Sequence, residues 1–252
     1  MPACPWEGFF SPVQLKRWAE AIPSRSSCRT FSAPATMDEQ SALAYTAARS
    51  SLPGVRLALL DCDSNELFIP IPLFPRIEYA RQYVAVIIDT SVEHVQLHAG
   101  VSGEAMVLEL AAMGLGSCWV QGNFRRSAVD IPLSPSEKVL AVIPYGHPSK
   151  RASGDKRSRK PLKALCLDKP EDWPNWAFQA AESVRVAPSA LNSQPWRFSR
   201  SGNTLRLSGR GFGSVNYGIA ALHMECAMHA LPHDWRYSSD GRGLLITYKE
   251  ET

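Results

Sequence analysis

The stretch from about Val92 to Met113 restricts the possible folds more than any other part of the chain. Val101, Ala105, Leu108, Ala112 and Leu115 recur at intervals of three and four, which is the period of one apolar helix face. Such a face has to be buried against another layer. Gly100 and Gly103 lower helix propensity within it, and so mark a place where another backbone comes close. A second helix, Asn216–Ala230, is likewise rich in Ala, Gly and Met. The two helices correspond in a repeat that is weak in identity but clear in element order.

The remaining elements repeat in the same order. In the first part a helix is expected at Leu15–Ala21, and a second runs from a capping box at Thr36-Met37-Asp38-Glu39 to about Ser50. Strands follow at Val55–Asp61 and Tyr83–Asp89; the latter is a continuous β-branched run that suits a strand covered on both faces. Gly114-Leu115-Gly116 stops the long helix, and Ser117–Val120 reads as a strand. Ser134-Pro135-Ser136-Glu137 is expected to cap one helical turn before a strand at Val139–Pro144. In the second part come a helix at Pro174–Val186, strands at Trp196–Ser199 and Thr204–Ser208, the helix at 216–230, and a closing strand at Leu244–Lys249. Between the parts, 149–163 is basic and irregular, with Lys150, Arg151, Lys156, Arg157, Arg159, Lys160 and Lys163 opposed only by Asp155. The competing reading is two unrelated α/β pieces.

Composition removes several function classes. The formal charge of +3 is too small to argue for nucleic acid, and the basic stretch lacks interleaved aromatics. Six cysteines show no patterned spacing, so reduced thiols in a cytoplasmic protein are expected rather than a disulfide framework or structural zinc. No window is apolar enough for a membrane span, and the first ten residues do not read as a signal peptide.

Four motifs stand in order along nearly the whole chain: Arg25-Ser26-Ser27-Cys28-Arg29-Thr30-Phe31, Ala111 to Trp119 (AAMGLGSCW), Gly146-His147-Pro148, and Ala187 to Trp196 (APSALNSQPW). Together they resemble the FMN-dependent nitroreductase family, in its single-chain, double-length TM nitroreductase branch. The resemblance implies an α+β, nitroreductase-like fold: a mixed, mostly antiparallel sheet packed with helices, built as a fused pseudo-dimer. Residues 1–150 would form the first half and 151–252 the second, in one compact unit. In ordinary family members one subunit gives the Arg/Ser segment and its partner the P-S-x-x-N loop. Here the first half keeps the Arg/Ser motif while Arg49–Gly54 is a poor match to the loop, and the second half keeps only the loop. One FMN per chain is therefore implied, with the protein a monomer or weak homodimer.

The chemistry of these residue types suits that cofactor. Two guanidiniums, Arg25 and Arg29, can grip a phosphate by charge-assisted hydrogen bonds, and Ser27 between them can reach phosphate or ribityl oxygens. By resemblance, Arg157 and Arg159 also contact the phosphate. The alternative for the whole segment is a solvated linker. Pro188 and Pro195 are expected to hold the residues before them extended, so that Pro188, Ser189, Ala190 and Asn192 meet the flavin on a stiff loop. Trp196 and Phe198 would anchor that loop in the core. The resemblance also places the backbone of Val120, Gln121 and Gly122 beside the flavin N5, where an amide donor tunes hydride transfer.

No protein nucleophile is required. His94 and His98 share a helix face but lack a third metal ligand, and no metal is expected. His223 and Glu225 read as packing or surface residues. The implied activity is electron transfer from NAD(P)H through FMN to a nitroaromatic, quinone or similar small acceptor. Its rivals are a flavin-binding or flavin-handling protein without NAD(P)H turnover, and an FMN-dependent dehydrogenase acting on a peptide or metabolite. Leu67–Arg76, rich in Pro and aromatics, reads as a lid that sets the acceptor or as a plain surface loop.

Overall fold

The computed structural model describes residues 4, 6–72, 75–149, 158–229 and 235–248. Helix α1 (Pro12–Ala21) starts from a capping box at Ser11 and Gln14, and α2 (Met37–Ser50) from the expected box at Thr36 and Glu39. Strands β1 (Phe31–Ala33), β2 (Val55–Asp61), β3 (Gln82–Asp89), the two-residue β4 (Gly116–Ser117) and β5 (Glu137–Pro148) form one sheet. Its order is β1-β5-β3-β2 with β4 on β5, and every pairing is antiparallel. Strands β6 (Trp196–Ser201), β7 (Thr204–Gly209), β8 (Trp235–Ser239) and β9 (Gly243–Tyr248) form a second antiparallel sheet in the order β6-β7-β9-β8. Helices α3 (Ser64–Leu67), α4 (Val95–Ala112), α5 (Asn175–Arg185) and α6 (Val215–His229) complete the elements.

The two Ala/Gly-rich helices lie at the centre, buried on nearly all sides. They meet at Gly100 and Gly218. A methyl on Gly218 would stand 2.0 Å from the Leu97 carbonyl oxygen, and one on Gly100 would stand 2.2 Å from that of Val215. Only bare backbones can come this close. Gly103 serves a different purpose from the one expected of it. What lies against it is the Trp119 ring, 2.2 Å from where a Cβ would be, and not another main chain. Gly114, at φ 76°, closes α4 in a Schellman motif, with Leu115 N–H on the Leu110 carbonyl (2.9 Å) and Gly114 N–H on that of Ala111 (3.0 Å).

Strand β3 is covered on both faces, as its composition requires. Val84, Val86 and Ile88 pack toward the helices, while Tyr83, Ala85 and Ile87 join a smaller cluster with Phe68, Phe124 and Val142. Two expectations are corrected. Residues 134–137 form a turn and not a helical turn: Glu137 N–H returns to the Ser134 carbonyl at 2.9 Å, and the strand then runs from 137 to 148. At 117–120 the regular strand is limited to β4, with an isolated bridge between Val120 and Val142 and a single Cys118 N–H bond to the Pro144 carbonyl (3.4 Å) between them. Among the described residues no helix is long and apolar enough to cross a membrane. All six cysteines are free thiols.

Candidate functional site

The fold gathers the four motifs into two clusters. In the first, the segment after α1 lies against β4, with Cys28 N–H donating to the Ser117 carbonyl at 2.8 Å and a parallel bridge between Ser27 and Ser117. Phe31 pairs with Pro148, and Ser149 N–H reaches the Thr30 carbonyl at 3.1 Å. The Arg/Ser motif, the G-L-G-S turn and the G-H-P strand end are thus one neighbourhood. Arg25 is buried, Arg29 half-buried, and the Ser27 side chain exposed between them. Arg29 is close enough for its charge to act on Cys28 and Cys118. Burial pushes the Cys118 thiol up to about 12 all the same, with Arg29 opposing the rise. Burial likewise raises the Cys28 thiol, against its bond to the Thr30 carbonyl and the charge of Arg29. Neither cysteine is an activated thiolate.

The second cluster is the loop before β6. Three of its residues that are not glycine have left-handed backbone: Leu191 (φ 52°), Asn192 (φ 52°) and Gln194 (φ 47°). Gln194 therefore departs from the extended geometry expected ahead of Pro195. Its buried side chain accounts for this: Oε1 accepts the Lys160 N–H (2.8 Å), Nε2 donates to the Asn192 carbonyl (3.0 Å), and its own N–H donates to Ser189 Oγ (3.0 Å). Arg159 clamps the loop, donating to Asn192 Oδ1 and to the Val186 carbonyl (3.2 Å). Asn192 Nδ2 in turn donates to the Ser158 carbonyl (2.8 Å), and Lys160 Nζ to that of Ser193 (2.7 Å). Ala190 N–H is held by Asn216 Oδ1 at 3.0 Å. Trp196 and Phe198 are fully buried beneath the loop. None of these bonds crosses to the first cluster. Arg157 lies outside the described residues.

Between the motifs, Val120 is committed to the sheet. Its N–H donates to the Val142 carbonyl and its carbonyl accepts from the Val142 N–H, both at 2.9 Å. Gln121 and Gly122 then turn outward and are exposed, and a Cβ on Gly122 would meet nothing within 4 Å. Nearby a cleft of about 570 Å³ is lined by Phe31–Pro34, Phe68–Ile71, Pro75–Arg81 and Asn123. Of the Leu67–Arg76 segment, Phe68–Ile71, Pro75 and Arg76 border that cleft, and 73–74 fall outside the described residues.

The donor set of the first cluster fits a phosphate-bearing cofactor. The half-buried Arg29 and the exposed Ser27 hydroxyl are accessible on one short segment that contains no carboxylate, with Arg25 buried beside them. Sequence reasoning missed a third group of polar residues. His223 and Glu225 are both buried, and His223 hydrogen-bonds to Glu104 across the helix crossing at 2.9 Å. A carboxylate in the middle of the apolar run 95–112 was the signal for it. His98 Nδ1 sits 2.9 Å from the Pro53 carbonyl oxygen.

A family model described as "Putative TM nitroreductase" matches residues 18–228. A crystal structure of a putative nitroreductase from Thermotoga maritima MSB8 superposes with a TM-score of 0.62 at 23% identity, covering 91% of this chain and 92% of that one. A putative nitroreductase from Desulfovibrio desulfuricans, in complex with FMN, gives a TM-score of 0.47 at 22% identity, over 62% of this chain and 98% of that one. A nitroreductase family protein from Streptococcus pneumoniae TIGR4 gives 0.47 at 15% identity, over 60% and 98%. No curated protein matches the chain.

Proposed function

The chain belongs to the TM nitroreductase family, and on that premise we propose that it is an FMN-dependent oxidoreductase passing electrons from NAD(P)H to a nitroaromatic, quinone or similar small acceptor. The observation that carries this reading is the Arg25–Ser27–Arg29 segment, docked on the G-L-G-S turn by the Cys28 N–H bond to the Ser117 carbonyl, within the family match. FMN, when bound, supplies hydride acceptance and its release as one or two electrons. The protein's task is to hold and orient. Arg25 and Arg29 bind the phosphate, and Ser27 the phosphate or ribityl oxygens. The backbone of Gln121 and Gly122 offers amide donors near N5, whereas the amide of Val120 is already used by the sheet. The loop Pro188, Ser189, Ala190 and Asn192 faces the cofactor from the second half. In this arrangement Arg159 acts first through the loop, because its guanidinium already donates to Asn192 and Val186.

In this reading 1–150 and 151–252 are the two halves of a fused pair, sharing one FMN in a cytoplasmic protein that is a monomer or weak homodimer. Support comes from the separation of the two sheets between the halves and from the Gly100–Gly218 crossing of their central helices. Free cysteines agree with a reducing compartment. The test is anaerobic mixing of FMN-loaded protein with NADH or NADPH. Bleaching of the flavin band by one of them, followed by reoxidation with a nitroaromatic or quinone, is expected. Flavin reduced by dithionite but by neither nicotinamide would leave a flavin-binding protein without NAD(P)H turnover.

A further inference from the structure

Where α4, α5 and α6 pack together, the core encloses a chain of polar groups that none of the four motifs accounts for. Glu104 on α4 and His223 on α6 are both fully buried. Trp119 Nε1–H donates to Glu104 Oε2 at 2.8 Å, and Glu104 Oε1 lies 2.9 Å from His223 Nε2. The other ring nitrogen, Nδ1, faces the Ser183 carbonyl oxygen at 3.1 Å, while Ser183 Oγ–H donates to the His223 carbonyl at 2.6 Å. The chain thus runs from α5 through α6 and α4 to Trp119.

The proton count follows from the partners. A carbonyl oxygen can only accept, so Nδ1 carries a hydrogen. The remaining contact, Nε2 to a carboxylate oxygen, needs one proton between the two atoms, on either side. Both buried groups are then satisfied with no net charge, which removes the main cost of burying them.

Trp119 is held in two ways. Its ring fills the slot left by Gly103, and its N–H is taken by Glu104. The next residue, Val120, is locked to Val142, and the chain then turns outward at Gln121 and Gly122. We propose that Glu104 and His223 are positioning residues: by sharing one buried proton and holding the Trp119 indole, they fix the 118–122 backbone, which carries the Gln121 and Gly122 amides that meet the cofactor. The assignment rests on the flavin reading of that backbone, but the pinning itself can be measured without flavin.

The experiment compares Glu104→Ala and Glu104→Gln with the parent protein. Glutamine can accept the indole N–H and donate to a neutral His223, so it preserves every bond while removing the shared proton. Alanine leaves the Trp119 N–H and His223 Nε2 unmet in the core. In flavin-free protein, amide hydrogen exchange at 118–122 should speed up by about tenfold or more with Ala and stay within about threefold with Gln. Nitrogen-15 spectra should show a hydrogen on His223 Nδ1 in both the parent protein and the Gln variant, with Nε2 bare in the Gln variant. FMN affinity should fall about tenfold with Ala and little with Gln. Unchanged exchange at 118–122 in the Ala variant, or a bare Nδ1 in the parent protein, overturns the proposal. If Glu104→Ala does not fold, Trp119→Phe keeps the ring in its slot without the N–H, and unchanged exchange there overturns it equally. A parent protein that takes up no FMN ends the flavin reading and leaves the exchange data to decide on the network.

Discussion

Replacing Gly218 by alanine probes the feature on which the whole architecture turns. The new methyl would stand 2.0 Å from the Leu97 carbonyl oxygen and 2.8 Å from the Gly100 Cα, and both obstacles are backbone. Ordinary contact begins near 3.4 Å, so α4 and α6 have to separate by about 1.4 Å at the crossing. Overpacking that a side-chain rotation can absorb costs about 1–3 kcal/mol. Here a rotamer change cannot help, and separation also loosens Val101, Ala105, Ile219 and Leu222, which are buried beside the crossing. Against this, alanine improves helix propensity by about 1 kcal/mol. A net loss of about 3 kcal/mol or more is expected, equivalent to a Tm lower by roughly 6–12 °C in a protein of this size. Gly100→Ala should behave alike. The double variant should cost less than the sum, because one separation accommodates both methyls. Thermal and urea unfolding of the three variants provide the measurement. A Gly218→Ala protein as stable as its parent would refute the close-crossing argument.

Three further outcomes are expected. Gly122→Ala should leave Tm unchanged, since nothing lies within 4 Å of the added methyl. It should nonetheless weaken FMN binding by about tenfold, as expected where a backbone closely approaches a ligand; unaltered affinity in a flavin titration argues against residues 121–122 as the N5 edge. Arg159→Ala removes the clamp on a loop with three left-handed residues. FMN affinity should fall roughly tenfold to a hundredfold, the worth of hydrogen bonds to a charged group, and proteolysis within 188–195 should quicken; neither changing counts against the clamp. Burial, with Glu7 nearby, raises the Glu225 carboxyl from 4.5 to about 8. The folded chain keeps that proton after the unfolded one has lost it, so stability declines as pH rises from about 4.5 to about 8 and levels off above. Glu225→Gln removes the decline. It should match the parent at pH 4.5 and exceed it by roughly 3–5 kcal/mol at pH 8; parallel pH profiles of urea unfolding contradict the assignment.

Several elements set by local rules were legible in the sequence. The Thr36 box starts α2, and the two-faced apolar run becomes β3. Gly114 closes α4, and the buried Trp196 and Phe198 support their loop. The reading failed where distant partners decide. Strand β8 has little apolar alternation of its own and exists by pairing with β9. The backbone of Gln194 is set by Lys160 and Ser189 against the preference imposed by Pro195. Trp119 occupies the space at Gly103 that suggested another backbone. Glu104 and His223 lie 119 positions apart in sequence, and no local periodicity could join them. At the site, the sequence named the residue types a flavin needs. It could not foresee that Asn192 and Arg159 bond to each other or that the amide of Val120 belongs to the sheet.

The most direct test of the central reading is flavin stoichiometry. Protein saturated with FMN, freed of excess and then denatured should release FMN at about one per chain, with the visible flavin spectrum present beforehand. Two per chain would contradict a single site shared by two halves, and a protein that stays colourless after incubation with FMN would contradict flavin binding altogether.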